Sequence, residues 1–157
     1  MNDDWFDAMV ALLDHGARFL VVGAHAMAVY GVPRGTHDLD MWVEPTAENA
    51  KRVYQALTEF GAPLTALGIT AADLTRRDAV IQLGLPPNRI DLLTSLSGVP
   101  DFGAAWETRF ESTVRDREIP FLSKACLIDN KRAVGRTKDH ADLDALGEAP
   151  SRPAESD

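Results

Sequence analysis

The sequence predicts an α/β fold of the α+β kind: a mixed β-sheet flanked by helices, with a pair of helices at the C-terminal end. Three observations carry this expectation. Segments with apolar residues at helical spacing alternate with short runs of strand-forming residues. Two pairs of those runs are joined by turn-like segments, so antiparallel hairpins interrupt an otherwise parallel sheet. Two helix patterns, opened by Ser123 and Thr137, follow the last strand.

The elements follow in order. Trp5, Phe6, Met9, Val10, Leu12 and Leu13 mark a first helix, with Asn2, Asp3 or Asp4 as its cap and Gly16 as its stop. Residues 18–22 read as a buried strand that turns at Gly23 into a short helix, Ala24 to Tyr30, ended by Gly31 and Pro33. Residues 38–43 alternate: Asp38, Asp40 and Trp42 on one face, Leu39, Met41 and Val43 on the other. Thr46 caps a helix to Phe60, which Gly61 ends. A loop and a short helix from Thr70 lead to strands at 79–83 and 89–93, joined through Pro86-Pro87-Asn88. A breaker stretch, Ser97 to Asp101, precedes a short helix through Trp106 and a second hairpin, 110–114 with 118–121. The final helices end at Gly135 and near Leu146.

At 157 residues the chain suits one domain, expected over 1–146, with 147–157 a disordered tail lacking apolar periodicity. A lone cysteine, Cys126, excludes an internal disulfide, and no apolar run follows a basic N-terminal segment. A reducing cytoplasm without membrane attachment is therefore expected. The net charge of −8 argues against binding nucleic acid through a large basic field. Lys124, Lys131, Arg132, Arg136 and Lys138 nevertheless make a local basic patch, with Asp129 the one acid among them.

The chemistry lies in carboxylates. On a strand, residues two apart point the same way, so Asp38 and Asp40 converge. Their mutual repulsion calls for a cation, and Mg²⁺ is a hard ion that takes carboxylate and phosphate oxygens. The opposite, apolar face anchors the strand and gives a metal site its rigidity. Asp91 is set among the apolar residues of Ile90-Asp91-Leu92. If its strand lies beside the first, three carboxylates form an oxygen set for two Mg²⁺ ions and an in-line phosphoryl displacement; an ion pair with Arg89 is the plainer reading of Asp91. Upstream, a strand turns through Gly23 into a helix N-terminus, where free backbone N–H groups bind anions. There is no Gly-x-x-x-x-Gly-Lys-Ser/Thr and no Gly-x-Gly-x-x-Gly, so neither a P-loop nor a dinucleotide site is expected. His25 and His37 lack further ligands at zinc spacing and read as hydrogen-bonding groups.

Together, Val22-Gly23-Ala24-His25-Ala26 and Tyr30-Gly31-Val32-Pro33-Arg34-Gly35-Thr36-His37-Asp38-Leu39-Asp40 resemble the signature of the DNA polymerase β-like nucleotidyltransferases. The Gly-x-x-Arg-x-Thr-x-Asp-hydrophobic-Asp form is similar to the minimal bacterial and archaeal members, many of them in toxin–antitoxin or phage-defence systems. The stretch from Leu127 to Leu143, with Lys131, Arg136, Lys138, Asp139 and Asp142, resembles their C-terminal helical signature. The resemblance spans 18–146. Two departures stand out: Ala24 occupies a position where many relatives carry Ser, and thirteen residues separate Ala24 from Asp38.

The resemblance implies a metal-dependent transferase that moves a nucleoside monophosphate from an NTP to an acceptor hydroxyl. Asp38, Asp40 and Asp91 would be catalytic and hold Mg²⁺ (two ions, with Mn²⁺ as a substitute). Gly23, Ala24, His25, Arg34, Thr36, Lys131 and Lys138 would contact the nucleotide. The implied acceptors are a tRNA 3′ end or a partner-protein side chain, with a cognate toxin or antitoxin as a further partner. Two other readings stay open: a nucleotide- or partner-binding module without turnover, suggested by Ala24, and a small-molecule transferase of the aminoglycoside type.

Overall fold

The computed structural model describes residues 1–148. In chain order its elements are α1 (Asp3–Asp14), β1 (Phe19–Val22), α2 (Gly23–Val29), β2 (Asp38–Val43), α3 (Ala47–Phe60), a 3₁₀ turn (Ala71–Thr75), β3 (Val80–Leu83), β4 (Arg89–Leu93), α4 (Phe102–Glu107), β5 (Phe110–Val114), β6 (Arg117–Phe121), α5 (Lys124–Val134) and α6 (Thr137–Glu148). The strands make a mixed sheet with flanking helices and a C-terminal helix pair, the fold class expected. The chain divides into two compact units: Met1–Phe19 with His37–Ser95, and Leu20–Thr36 with the chain from Leu96.

In the first unit, α1 begins at Asn2, whose side chain accepts the Trp5 N–H at 2.8 Å. Its stripe of Trp5, Ala8, Met9 and Leu12 is buried, as is the Ala50, Val53, Ala56 and Leu57 face of α3. Thr46 caps α3 by accepting the Asn49 N–H at 3.2 Å, and Gly61 ends it at φ +108°. The buried Asn49 side chain ties three backbone groups to α3. It accepts the Arg18 N–H at 2.7 Å and donates to the carbonyls of Arg18 at 3.0 Å and Glu44 at 2.9 Å. The strands of this unit set the site. β4 pairs with β3 antiparallel and with β2 parallel, so Gln82, Asp91 and Asp40 stand in one row across three strands.

In the second unit, β6 pairs with β1 parallel and with β5 antiparallel. Strand β1 is buried throughout, which explains its continuous apolar run. Tyr30, at the end of α2, donates its hydroxyl to the Leu122 carbonyl at 2.8 Å, and burial pushes its pKa up to about 12. Ser123 caps α5 through the Cys126 N–H, and Gly135 ends it in the left-handed conformation. The turn before α4 packs so close to α5 that a Cβ on Gly98, at φ +79°, would lie 2.4 Å from the Asp129 carbonyl oxygen. Thr137 is the first residue of α6 rather than its cap; the Asp139 carboxylate accepts the Arg136 N–H at 3.1 Å. Gly147 and Glu148, expected in the tail, complete α6; the rest of that stretch, 149–157, lies outside the described residues. No helix among the described residues is long and apolar enough to cross a membrane.

Candidate active site

The site is built on β2 and β4. Leu39, Met41 and Val43 are fully buried and lock β2 against the core, so Asp38 and Asp40 project from the other face. In the parallel ladder Asp38 pairs with Arg89 and Asp40 with Asp91, and ladder partners share a face. One carboxylate oxygen from each of Asp38, Asp40 and Asp91 lies within 4.8 Å of the other two. Asp91, set between the inward-facing Ile90 and Leu92, is itself buried. It is 7% exposed and faces its fellow carboxylates rather than solvent.

Arg89 bridges this cluster. Its Nη2 donates to Asp38 Oδ2 at 2.6 Å and to Asp91 Oδ2 at 3.2 Å. Its Nε lies 3.0 Å from Asp91 Oδ1, an ion-pair contact without hydrogen-bond alignment. One guanidinium against three carboxylates leaves negative charge uncompensated. The consequence falls on Asp40: burial first, then the Asp38 and Asp91 charges, push its pKa up to about 7. A hydrogen bond with Asp91 also favours the protonated form. The cluster therefore tends to retain a proton up to about pH 7, and a divalent cation would compensate the same charge. Three convergent oxygens, one of them (Asp91 Oδ1) buried without a hydrogen bond, fit a hard oxygen-seeking ion such as Mg²⁺.

The other residues expected to contact nucleotide belong to the second unit. Gly23, at φ +66°, opens α2, followed by the half-buried Ala24 and His25; no side chain caps this helix N-terminus. Arg34 pairs with Asp142. Thr36 is half-buried, and Lys138 is exposed. Lys131 is buried, with its Nζ 3.1 Å from Asp142 and 3.3 Å from Asp139. Arg136 Nε donates to Asp139 at 2.8 Å, and this bond, joined by those from the Arg136 backbone and Lys131, lowers the Asp139 pKa to about 2. Arg34, Lys131 and Arg136 thus share a buried pair of aspartates. Asp139 and Asp142, three apart on α6, belong to the C-terminal signature read in the sequence, but their pairing with Lys131 was not part of that reading. The dual bridge made by Arg89 was not readable, because it depends on which strand lies beside β4.

No protein-family model matches the chain, and no curated protein sequence does. Solved structures do. The lincosamide antibiotic adenylyltransferase LnuA, in its lincomycin-bound form, matches at 16% identity and a TM-score of 0.58, over 94% of this chain and 97% of that one. The Thermotoga maritima protein TM1012 matches at 14% identity and a TM-score of 0.59, over 92% and 93%. ANT(2″)-Ia, in complex with adenylyl-2″-tobramycin, matches at 12% identity and a TM-score of 0.55, over 90% and 84%. The chain shares the fold of these solved nucleotidyltransferase structures and carries three clustered carboxylates on adjacent strands.

Proposed function

We propose that this chain is a Mg²⁺-dependent nucleotidyltransferase, moving a nucleoside monophosphate from an NTP to an acceptor hydroxyl. The observation that carries the reading is the convergence of Asp38, Asp40 and Asp91 within 4.8 Å on a fold of this kind. Bound there, one or two Mg²⁺ ions, or Mn²⁺ in their place, would neutralise phosphate charge and lower the pKa of the acceptor hydroxyl. The chain's own residues do the positioning. Asp38 and Asp40 hold the oxygen ligand set on a strand locked by its apolar face. Asp91 receives the proton of the acceptor hydroxyl; the new bond joins that oxygen to the α-phosphorus, and the bond to the β-phosphate oxygen breaks to release pyrophosphate. Arg89 fixes the orientation of Asp38 and Asp91. In this reading Gly23 and Ala24 offer backbone N–H groups to the phosphates, and His25, Arg34, Thr36, Lys131 and Lys138 complete the nucleotide contacts. The setting we propose is a reducing cytoplasm, consistent with the free Cys126.

The acceptor in this reading is a tRNA 3′ end, a partner-protein side chain or a small molecule. The small-molecule option gains from LnuA, of whose chain 97% is matched, so a chain of this length is enough for that architecture. The link to a toxin–antitoxin pair rests on the Gly31–Asp40 resemblance alone. A second reading, a binding module without turnover, is favoured by Ala24, which has no hydroxyl for the triphosphate. Incubation with labelled NTPs and Mg²⁺, separately with bulk tRNA, cell lysate and an aminoglycoside–lincosamide mixture, tests both. Label on one acceptor supports the enzyme; Mg-NTP binding with no label anywhere supports the module.

A further inference from the structure

The row across β2, β4 and β3 does not end at Asp91. Gln82 is the antiparallel partner of Asp91, and directly opposed residues of such a ladder share a face with their Cβ atoms about 4.5–5.5 Å apart. The alternation along β3 agrees: Ile81 and Leu83 are buried, whereas Val80 and Gln82 are exposed. Gln82 therefore stands beside Asp91 on the side away from Asp40. Its amide makes no hydrogen bond among the described residues, although it neighbours a cluster in which Asp38, Asp91 and Arg89 are bonded to one another.

Resting on the transferase reading above, we propose that Gln82 is a specificity-determining residue that holds a second hydroxyl of the acceptor, vicinal to the one that attacks. The chemistry of the side chain selects this partner. A carboxamide offers both a donor and an acceptor, which matches a hydroxyl, itself both donor and acceptor. Being uncharged, it adds no repulsion to the three carboxylates and offers no ion pair to a cationic or anionic substituent. Its position sets the reach. Gln82 stands one strand spacing, about 4.8 Å, from Asp91; vicinal hydroxyl oxygens of a sugar ring lie closer together than that, and the flexible Gln side chain closes the difference by leaning toward Asp91. Val80, 56% exposed and two residues along the same face, gives an apolar surface for the C–H side of such a ring. The acceptor is thus a vicinal diol of the sugar type, supplied either by an RNA 3′ end or by a free glycoside.

The test uses the whole protein saturated with Mg²⁺ and a non-hydrolysable ATP analogue. Two probe pairs are titrated: adenosine against 2′-deoxyadenosine, which keeps the 3′-hydroxyl and lacks its neighbour, and methyl mannoside against its 2-deoxy counterpart. Binding is followed by calorimetry and by the Gln82 side-chain amide signal in ¹⁵N NMR, assigned by its loss in Gln82→Ala. The diol should bind about tenfold tighter than its deoxy partner and shift the amide signal, as expected for one hydrogen bond. In Gln82→Ala that ratio should fall to about one with the metal–nucleotide still bound, and a merely structural role would not move a ratio between two such similar probes. Preference in the nucleoside pair alone points to an RNA end, and in the glycoside pair alone to a free glycoside. Equal binding within both pairs, or a preference that survives in Gln82→Ala, overturns the assignment while leaving the transferase reading intact. Failure of the wild type to take up the metal–nucleotide overturns that reading, and this proposal with it.

Discussion

Asp40 and Asp91 are partners in the parallel β2–β4 ladder, and their carboxylates lie on the face that also carries Asp38. Two acids in register on neighbouring strands repel, and the structure meets that repulsion with Arg89 on one side and a retained proton on the other.

Mg²⁺ binding should release a proton. The Asp40 pKa is about 7 without a cation, so the ion displaces a proton at or below neutral pH and binds more tightly as pH rises to about 7. Calorimetry at pH 6.5 in two buffers of different ionisation enthalpy reads this directly. Asp40→Asn should lose both the release and the metal-dependent part of NTP binding. Equal NTP affinity in Mg²⁺ and in EDTA would falsify the metal site.

The same carboxyl sets a pH dependence of stability. In the unfolded chain Asp40 ionises near 3.8 and in the folded chain near 7. Between those values the folded state binds the extra proton, so stability falls as pH rises, by up to about 1.4 kcal/mol per pH unit. Below 3.8 the effect is absent, and above about 7 the loss is complete. Asp40→Asn, which mimics the protonated form, should therefore raise the melting temperature at pH 8 in EDTA. A mutant less stable than wild type under those conditions contradicts the strained cluster.

Asp91→Asn separates binding from transfer. Asp38 and Asp40 still hold the nucleotide-bound metal, so Mg-NTP affinity should weaken only modestly. Transfer should drop by about two orders of magnitude or more, since a proton acceptor and a metal ligand are lost together. Single-turnover transfer assays on the labelled acceptor measure it, and a normal rate would remove Asp91 from the reaction.

Two substitutions in the second unit probe its packing through folding stability. Asp142→Asn leaves Lys131 and Arg34 without their shared carboxylate, and breaking a buried ion pair costs about 3–5 kcal/mol. Gly98→Ala forces a Cβ to 2.4 Å from the Asp129 carbonyl at φ +79°, which should cost about 2 kcal/mol or more. Chemical denaturation measures both; a change below about 0.5 kcal/mol in either would mean that the local structure yields without cost.

Local signals were legible in the chain because local physics sets them. The caps at Asn2, Thr46 and Ser123, the left-handed stops at Gly61 and Gly135, and the period-two pattern of Asp38–Val43 each depend on residues within a turn or a strand of one another. So Asp38 and Asp40 were visible as a pair. That Asp91 completes them was conditional, because strand order depends on burial summed over the whole sheet, and no residue between 43 and 89 states that β4 lies beside β2. Once that adjacency exists, register does the rest. It brings Asp91 to Asp40, Arg89 to Asp38 and Gln82 to Asp91, and it leaves the Asp91 carboxylate buried. The same holds for Lys131, which the sequence places in a local basic patch. Its capture by Asp139 and Asp142 needed α6 to fold back on α5, a long-range choice made by packing rather than by any neighbour in sequence.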